Sequence, residues 1–108
     1  MKVSYRQAAR DDLIRQFRYY LVVQDRPDVA VRFREAVRRT VAALRARPLV
    51  GARYQSDNPR LVNLRSWPVE NFEANRIYYL LESDVLEVIR ILHGSRDIQR
   101  ILTGNQEK

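Results

Sequence analysis

His93 is the first residue to consider for chemistry, because it is the only histidine and no other side chain type ordinarily changes charge near neutral pH. It stands where the apolar run of residues 85–92 gives way to the polar turn of residues 94–97. A histidine at the end of a strand could serve as a general acid or base. It could equally hydrogen-bond the turn backbone and hold the turn in place. The spacing leaves both roles open.

Arginine is the second chemical feature of the chain. Lysine and arginine together number 20 against 13 acidic residues, a net charge of +7, and only Lys2 and Lys108 are lysines. Guanidinium groups bind phosphate and carboxylate in a planar, bidentate way. So large a positive excess in a short chain predicts a polyanionic partner, either nucleic acid or an acidic protein.

Several arginines lie on or beside the predicted strands. Those on the sheet face not covered by helices would form a basic concave surface, able to bind phosphates and to stabilise a phosphoryl transition state. The alternative is a solvated sheet face on which these arginines pair with Glu70, Glu73 and Glu87. The strand arginines are Arg60, Arg65, Arg76 and Arg90.

Composition excludes several classes of site. The chain has no cysteine, which rules out disulfides and thiolate ligands, and with one histidine we expect no metal site and no cofactor. Three glycines are too few for a phosphate-cradling loop, and no serine or cysteine triad is recognisable. No secretory signal and no apolar run of about 20 residues is present, so we expect a cytoplasmic protein without a membrane span.

Hydrophobic periodicity predicts one domain, residues 1–108, of the α+β class. Two amphipathic helices, joined by a turn, should bury one stripe each: Leu13, Ile14, Phe17, Tyr20 and Leu21 on the first, and Ala30, Phe33, Val37, Val41 and Leu44 on the second. The pattern predicts a helical hairpin packed on a curved antiparallel sheet in the order β-α-α-β-β-β, with residues 88–92 in its central strand. The predicted strands are 1–5, 61–67, 75–81 and 85–92, the helices about 7–24 and 27–47, with a helical turn over 97–102 and a frayed tail at 104–108.

The C-terminal third resembles a known family. Arg76-Ile77-Tyr78-Tyr79, followed by the apolar strand and by Leu92-His93-Gly94-Ser95-Arg96-Asp97, is similar to the end of the ParE branch of the RelE/ParE toxins. The helix exit Leu44-Arg45-Ala46-Arg47-Pro48-Leu49-Val50-Gly51 agrees. The resemblance implies a helical hairpin on an antiparallel sheet, and a toxin of a type II toxin–antitoxin pair made together with a small, acidic antitoxin.

The branch of the family decides the expected mechanism. ParE-like members resemble inhibitors of DNA gyrase, and this is the function we expect. RelE-like members resemble ribosome-dependent mRNA endonucleases, which need a base, phosphate-binding cations and an acid. Here Arg76 and His93 would take the cation and acid roles, and the base would have to be Glu70, Glu73 or His93 itself. A third hypothesis is a basic nucleic-acid-binding module without toxicity.

These hypotheses assign residues to two surfaces. The candidates for binding the target are Arg65, Arg76, Arg90, His93 and Arg96. An antitoxin should cover the helical hairpin or add to a sheet edge by extended pairing, in a toxin–antitoxin hetero-oligomer. The candidates for binding the antitoxin are Leu13, Phe17, Arg18, Phe33 and Arg34.

Overall fold

A computed structural model describes residues 1–94 and 101–102 of the chain. The order of elements confirms the predicted α+β class, with one added short strand in a segment expected to be irregular. Residues 101 and 102 are helical, while the rest of the predicted C-terminal turn and tail lies outside the described residues. The elements are β1 (Lys2–Tyr5), α1 (Gln7–Arg18) continued by a π-helical turn (Tyr19–Val23), α2 (Pro27–Ala46), β2 (Ala52–Arg53), a 3₁₀ turn (Pro59–Leu61), β3 (Arg65–Val69), β4 (Phe72–Glu82) and β5 (Val85–His93).

The described strands form one mixed sheet in the order β1-β5-β4-β3-β2. The prediction of an antiparallel sheet was wrong at one edge, because β1 pairs with β5 in parallel. The remaining pairs are antiparallel. The strands β3, β4 and β5 form a meander, and its third strand arrives beside β1 running in the same direction. The middle strand is therefore β4 and not, as predicted, the strand of residues 88–92, which belongs to β5 and lies between β4 and β1.

The second helix follows its sequence pattern closely. Ala30, Phe33, Val37, Val41 and Leu44 are all buried, as predicted. Proline occupies the first helical position, where its missing N–H costs no hydrogen bond.

The first helix departs from its pattern. Leu13 and Tyr20 pack against the core, but Ile14 and Leu21 are 54% and 40% exposed. The buried positions of α1 itself are Ala9 and Asp12, which turns Ile14 outward. Beyond Arg18 the chain adopts a π-helical turn, which is wider than an α-helical turn and shifts the faces of the residues that follow.

Both faces of the sheet carry an apolar cluster. The helical hairpin covers one face, where Phe33, Leu44, Ile77, Tyr79 and Val88 form part of the main core. The opposite face, which we call the far face, is covered by the loop after β2 and by the helical residues 101 and 102. Its buried members are Leu61, Leu64, Tyr78, Leu80, Ile89, Leu92 and Leu102.

Candidate functional site

Arg76 lies on the far face of the sheet. Successive side chains of a strand point to opposite faces, and on β4 the neighbouring Ile77 packs into the core beneath the helices. Tyr78 belongs with Arg76 to the far face. The Arg76 guanidinium donates two hydrogen bonds to Ser66 Oγ on β3, at 3.3 and 3.0 Å. Arg76 is therefore held beside a hydroxyl on the side away from α1 and α2.

His93 lies on the helix side. It ends β5 opposite Asn75, and it is exposed. It lines a groove of about 400 Å³ with residues of α1 and of the π-helical turn, namely Gln16, Tyr19, Tyr20 and Gln24. The sheet therefore separates His93 from Arg76. The two residues that an endonuclease would need around one phosphate do not converge.

Arg90 is occupied in a buried ion pair. Its Nε and Nη2 donate to the two carboxylate oxygens of Asp12 on α1, each at 2.8 Å. The Asp12 side chain is 1% exposed and also accepts from the Ile91 backbone N–H at 2.9 Å and from Arg15 at 3.1 Å. The hydrogen bonds from Arg90 to Asp12 raise the pKa of Arg90 above its ordinary value. The pair fixes α1 to β5.

A bulge in β5 makes this pair possible. Tyr78 of β4 is opposite Arg90, but Tyr79 is opposite Val88, so Ile89 has no counterpart on β4. A bulge of this kind locally changes the direction of side chains. It brings the Arg90 guanidinium to a helix residue although its neighbour Ile91 also packs on the helix side.

Arg65 is used at the exit of α2. Its Nη1 donates to the carbonyls of Leu49 and Gly51, at 3.2 and 2.8 Å. The Tyr79 hydroxyl donates to the Pro48 carbonyl at 2.7 Å and accepts from the Gly51 N–H at 3.0 Å. A Cβ at position 51 would overlap that hydroxyl, so only glycine fits there. The helix-exit motif is thus explained by its contact with β4.

We expect alkaline pH to weaken the fold through its tyrosines. Burial raises the pKa of Tyr79, and likewise that of Tyr5 and Tyr78, above the ordinary value of 10.0. An acid whose pKa is raised by folding contributes its full stability below the unfolded pKa, and that contribution is lost as pH rises through the folded pKa. Urea unfolding should therefore show a free energy of unfolding that is steady to about pH 9 and falls above about pH 10.

The variant Tyr79→Phe isolates one member of this set. It should lower the free energy of unfolding at neutral pH by about 1–3 kcal/mol, because the Pro48 carbonyl and the Gly51 N–H lose their partner. It should also reduce the alkaline loss. Tyr19→Phe, at an exposed tyrosine, is the control. Equal alkaline loss in wild type and Tyr79→Phe would contradict the assignment.

The predicted target-binding residues do not share one surface. Arg65 and Arg90 are engaged with protein groups on the helix side, and Arg76 lies on the far face. His93 lies on the helix side, and Arg96 is outside the described residues. The expected acidic partners are also used elsewhere: Glu70 pairs with Arg39, Glu87 with Arg6, and Glu73 accepts from the Asn71 N–H.

The predicted antitoxin-binding residues divide by burial. Phe33 is fully buried and offers no open surface to a partner, whereas Leu13 is partly buried and packs against the core. Phe17 is half-buried beneath the Arg34 guanidinium, 5.3 Å from its ring centre, and Arg18 is exposed.

The structure adds four exposed apolar residues that the sequence analysis did not select for this surface. The periodicity had assigned two of them to the buried face, and no sequence signal marks the π-helical turn that exposes the others. They are Ile14 and Leu21, and then Val22 and Val23, the last two 65% and 70% exposed.

The described part of the chain was expected to hold neither a metal site nor a membrane span. Within residues 1–94 and 101–102, no three side chains of the histidine, cysteine, aspartate or glutamate type come together in a way that could hold a metal ion. In the same ranges, no helix is long and apolar enough to cross a membrane.

Comparisons with known proteins agree with this fold. Residues 3–98 match the family described as the ParE toxin of the type II toxin–antitoxin system, parDE. A solved structure titled as the chromosomal ParDE toxin–antitoxin system from P. aeruginosa aligns with a TM-score of 0.70 at 19% identity. The alignment covers 88% of this chain and 97% of that one. No individually curated protein matches the sequence.

Proposed function

We propose that this chain, which belongs to the ParE toxin family of type II toxin–antitoxin systems, acts by inhibiting DNA gyrase. Its positive surface would dock on gyrase or on the complex of gyrase with cleaved DNA, and would slow religation. The net charge of +7 favours association with the polyanionic DNA of that complex. The mechanism is one of binding and needs no bond-breaking group in the toxin.

The observation that carries this proposal is the separation of Arg76 from His93. Cleavage of RNA needs a base, a cation and an acid within hydrogen-bond reach of one phosphate. Here the candidate cation and the candidate acid stand on opposite faces of a sheet. Two other strand cations, Arg65 and Arg90, are turned to backbone carbonyls and to Asp12 respectively. This arrangement favours binding over catalysis.

We further propose that a cognate antitoxin neutralises the toxin by covering the outer face of the helical hairpin. That face presents apolar side chains bordered by arginine: Ile14 and Leu21 are exposed, and Phe17 lies beneath Arg34. Arg18 is also exposed. An amphipathic helix with an apolar stripe and acidic flanks would complement such a surface.

A plasmid assay tests the gyrase proposal. With gyrase, ATP and supercoiled plasmid, the purified protein should cause linear DNA to accumulate, because religation is slowed. The variant His93→Ala should stay folded, since an exposed side chain changes stability by no more than about 0.5 kcal/mol, and it should weaken but not abolish the linear product, because its proposed role is docking and not catalysis. Addition of the antitoxin should suppress the linear product.

The opposite results would identify the rival functions. Cleavage of ribosome-bound mRNA with gyrase unaffected, together with loss of toxicity in a folded His93→Ala protein, would establish the endonuclease instead. Nucleic-acid binding without growth arrest would point to a non-toxic binding module.

A further inference from the structure

We infer that one side of α2 binds the phosphate backbone of duplex DNA. The site, which we call the arginine stripe, consists of Arg34, Arg38 and Arg45 on α2, with Lys2 of β1 and Arg10 of α1 beside them. It rests on the proposed function for the source of the DNA, which is the gyrase complex. It goes beyond that function because it gives the toxin a contact with DNA of its own.

The arginines within α2 lie on two sides of the helix. With 3.6 residues per turn, Arg34, Arg38 and Arg45 fall within about 40° of one another around the helix axis. Arg32 and Arg39 fall about 130° away from them. All five side chains are exposed. The helix therefore has two basic sides whose surroundings can be compared.

The nearby carboxylates mainly neutralise the side that carries Arg32. Asp28 lies 3.5 Å from Arg32, and Glu70 lies 3.5 Å from Arg39.

The arginine stripe has much less counter-charge. Within residues 1–94 and 101–102, its one ion pair joins Arg38 to Glu35 at 4.0 Å, and both side chains are exposed. An exposed pair of this kind contributes little and leaves the guanidinium free to bind a ligand. Most of the positive charge of the stripe is therefore open to an anionic partner.

The two ends of the arginine stripe are fixed by neighbouring elements. At one end the Arg34 guanidinium lies over the Phe17 ring of α1, 5.3 Å from the ring centre. At the other end Arg45 lines a groove of about 630 Å³ together with Lys2 of β1. The helical rise between residues 34 and 45 sets these ends about 17 Å apart.

Arg38 and Arg10 occupy the middle of the stripe, near the Tyr5 side chain. Burial raises the pKa of Tyr5, and the positive charges of Arg38 and Arg10 act against that rise, so both guanidinium groups lie close to its hydroxyl. Arg10 Nε also donates to the Tyr5 carbonyl at 3.4 Å. Positive charge therefore extends from Arg34, past Tyr5, to Arg45.

The length and composition of the stripe suit a phosphate backbone better than a protein. One strand of DNA carries a phosphate about every 3.4 Å along the helix axis, so about five phosphates would lie over the stripe. A protein interface has an apolar centre within its polar rim. On this side of α2 the exposed residue between Arg38 and Arg45 is only Ala42. Guanidinium groups without an apolar anchor between them match a ligand of regularly spaced charge.

Contacts of this kind position a protein on DNA without reading its sequence. They would hold the toxin on the DNA beside the break in the gyrase complex, whatever the sequence there. Arg34 also belongs to the surface proposed for the antitoxin. Bound antitoxin and bound DNA would therefore exclude each other at that end of the stripe.

Binding of a short duplex in the absence of gyrase tests the stripe directly. The probe is a fluorescent DNA duplex of about 20 base pairs, and fluorescence anisotropy gives its dissociation constant. Raising the salt concentration from about 50 to 200 mM should weaken binding about 100-fold, as expected when about four phosphates are neutralised. A duplex of scrambled sequence should bind within about twofold of the first.

Two double variants compare the two sides of α2. Arg38→Gln with Arg45→Gln should weaken duplex binding at least about tenfold and make the slope of log K against log salt shallower by about 2. Arg32→Gln with Arg39→Gln removes the same charge from the other side and is the control, for which the change should stay below about threefold. All four residues are exposed, so both proteins should unfold cooperatively at the wild-type temperature.

Three results of the binding experiment would overturn the inference. Equal weakening in the two double variants would mean that net charge alone attracts DNA. Tighter binding of a polyglutamate peptide than of the duplex would assign the stripe to an acidic protein. Tighter binding of an RNA duplex of the same length would assign it to RNA.

The plasmid assay keeps the stripe distinct from the proposed function. The variant Arg38→Gln with Arg45→Gln should need about tenfold more protein than the control variant to give the same amount of linear DNA. Equal potency of the two variants would overturn the inference and leave the gyrase proposal standing. Wild-type protein that binds the duplex through the stripe but yields no linear DNA would refute the gyrase proposal and leave the stripe as a DNA-binding site.

Discussion

Replacing Asp12 with asparagine is expected to lower the free energy of unfolding by about 3–5 kcal/mol, the largest loss we predict for any single polar substitution in this chain. The change keeps the shape of the side chain and removes its charge. The Arg90 guanidinium, whose side chain is 18% exposed, would then be buried without a counter-charge. The Ile91 N–H would also lose its anionic acceptor.

Urea denaturation measures this effect, and the chain provides a matched control. Asp11 is the neighbour of Asp12 in the chain and is exposed. Its side chain accepts a hydrogen bond from Gln7 at 2.9 Å. Asp11→Asn should change stability by no more than about 0.5 kcal/mol. A loss below about 1 kcal/mol for Asp12→Asn would mean that the buried pair does not hold α1 to β5.

A double substitution refines the interpretation. If both partners are replaced by apolar residues of similar volume, as in Asp12→Leu with Arg90→Met, the loss should be smaller than the sum of the single losses. The reason is that neither charge is then left unpaired in the interior. An additive result would indicate that the two residues act through separate contacts.

Replacing Phe33 with alanine is expected to cost about 3–5 kcal/mol of stability, because Phe33 is fully buried and its loss leaves a cavity. The ring packs against Tyr20 and Phe72, at centroid distances of 5.6 and 5.3 Å. These three rings join the end of the helical hairpin to the start of β4. Thermal and urea unfolding should both register the loss.

The comparison with Phe17→Ala separates fold from binding. Phe17 is half-buried and covered by Arg34, so its truncation should cost only about 1 kcal/mol of stability. Because Phe17 is an aromatic anchor of the proposed antitoxin surface, its truncation should also weaken antitoxin binding by about 30-fold. Unchanged affinity for Phe17→Ala would exclude this part of the hairpin from the interface. Calorimetric titration of the folded variants makes the measurement.

The amino-acid sequence by itself determined the class of fold and most of its elements. Periodicity identified α2 and its buried residues. The apolar residues of this helix recur with a simple 3.6-residue repeat, so they all lie on the one face that packs against the core. The run from Arg76 to His93 indicated two strands of the meander and the toxin family, which the family match confirms. These are local features, and local sequence carries them.

The tertiary structure decided which residues meet. The parallel pairing of β1 with β5 depends on the path of the whole chain. The orientation of the first helix is set by its buried residues, Ala9 and Asp12, and by the π-helical turn that follows it. This orientation leaves Ile14 and Leu21 exposed. Arg90 looked like a surface cation, but a one-residue bulge aims it at Asp12, 78 positions away.

His93, the residue with the clearest chemical promise in the sequence, shows the limit most directly. The resemblance to RelE-like endonucleases gave it the role of the acid in one site with Arg76 as the cation. Alternation of side chains across the sheet, shifted by the β5 bulge, puts the two on opposite faces. Residue types and their spacing along the chain could identify candidates for chemistry, but facing direction depends on register and packing, which only the folded chain establishes.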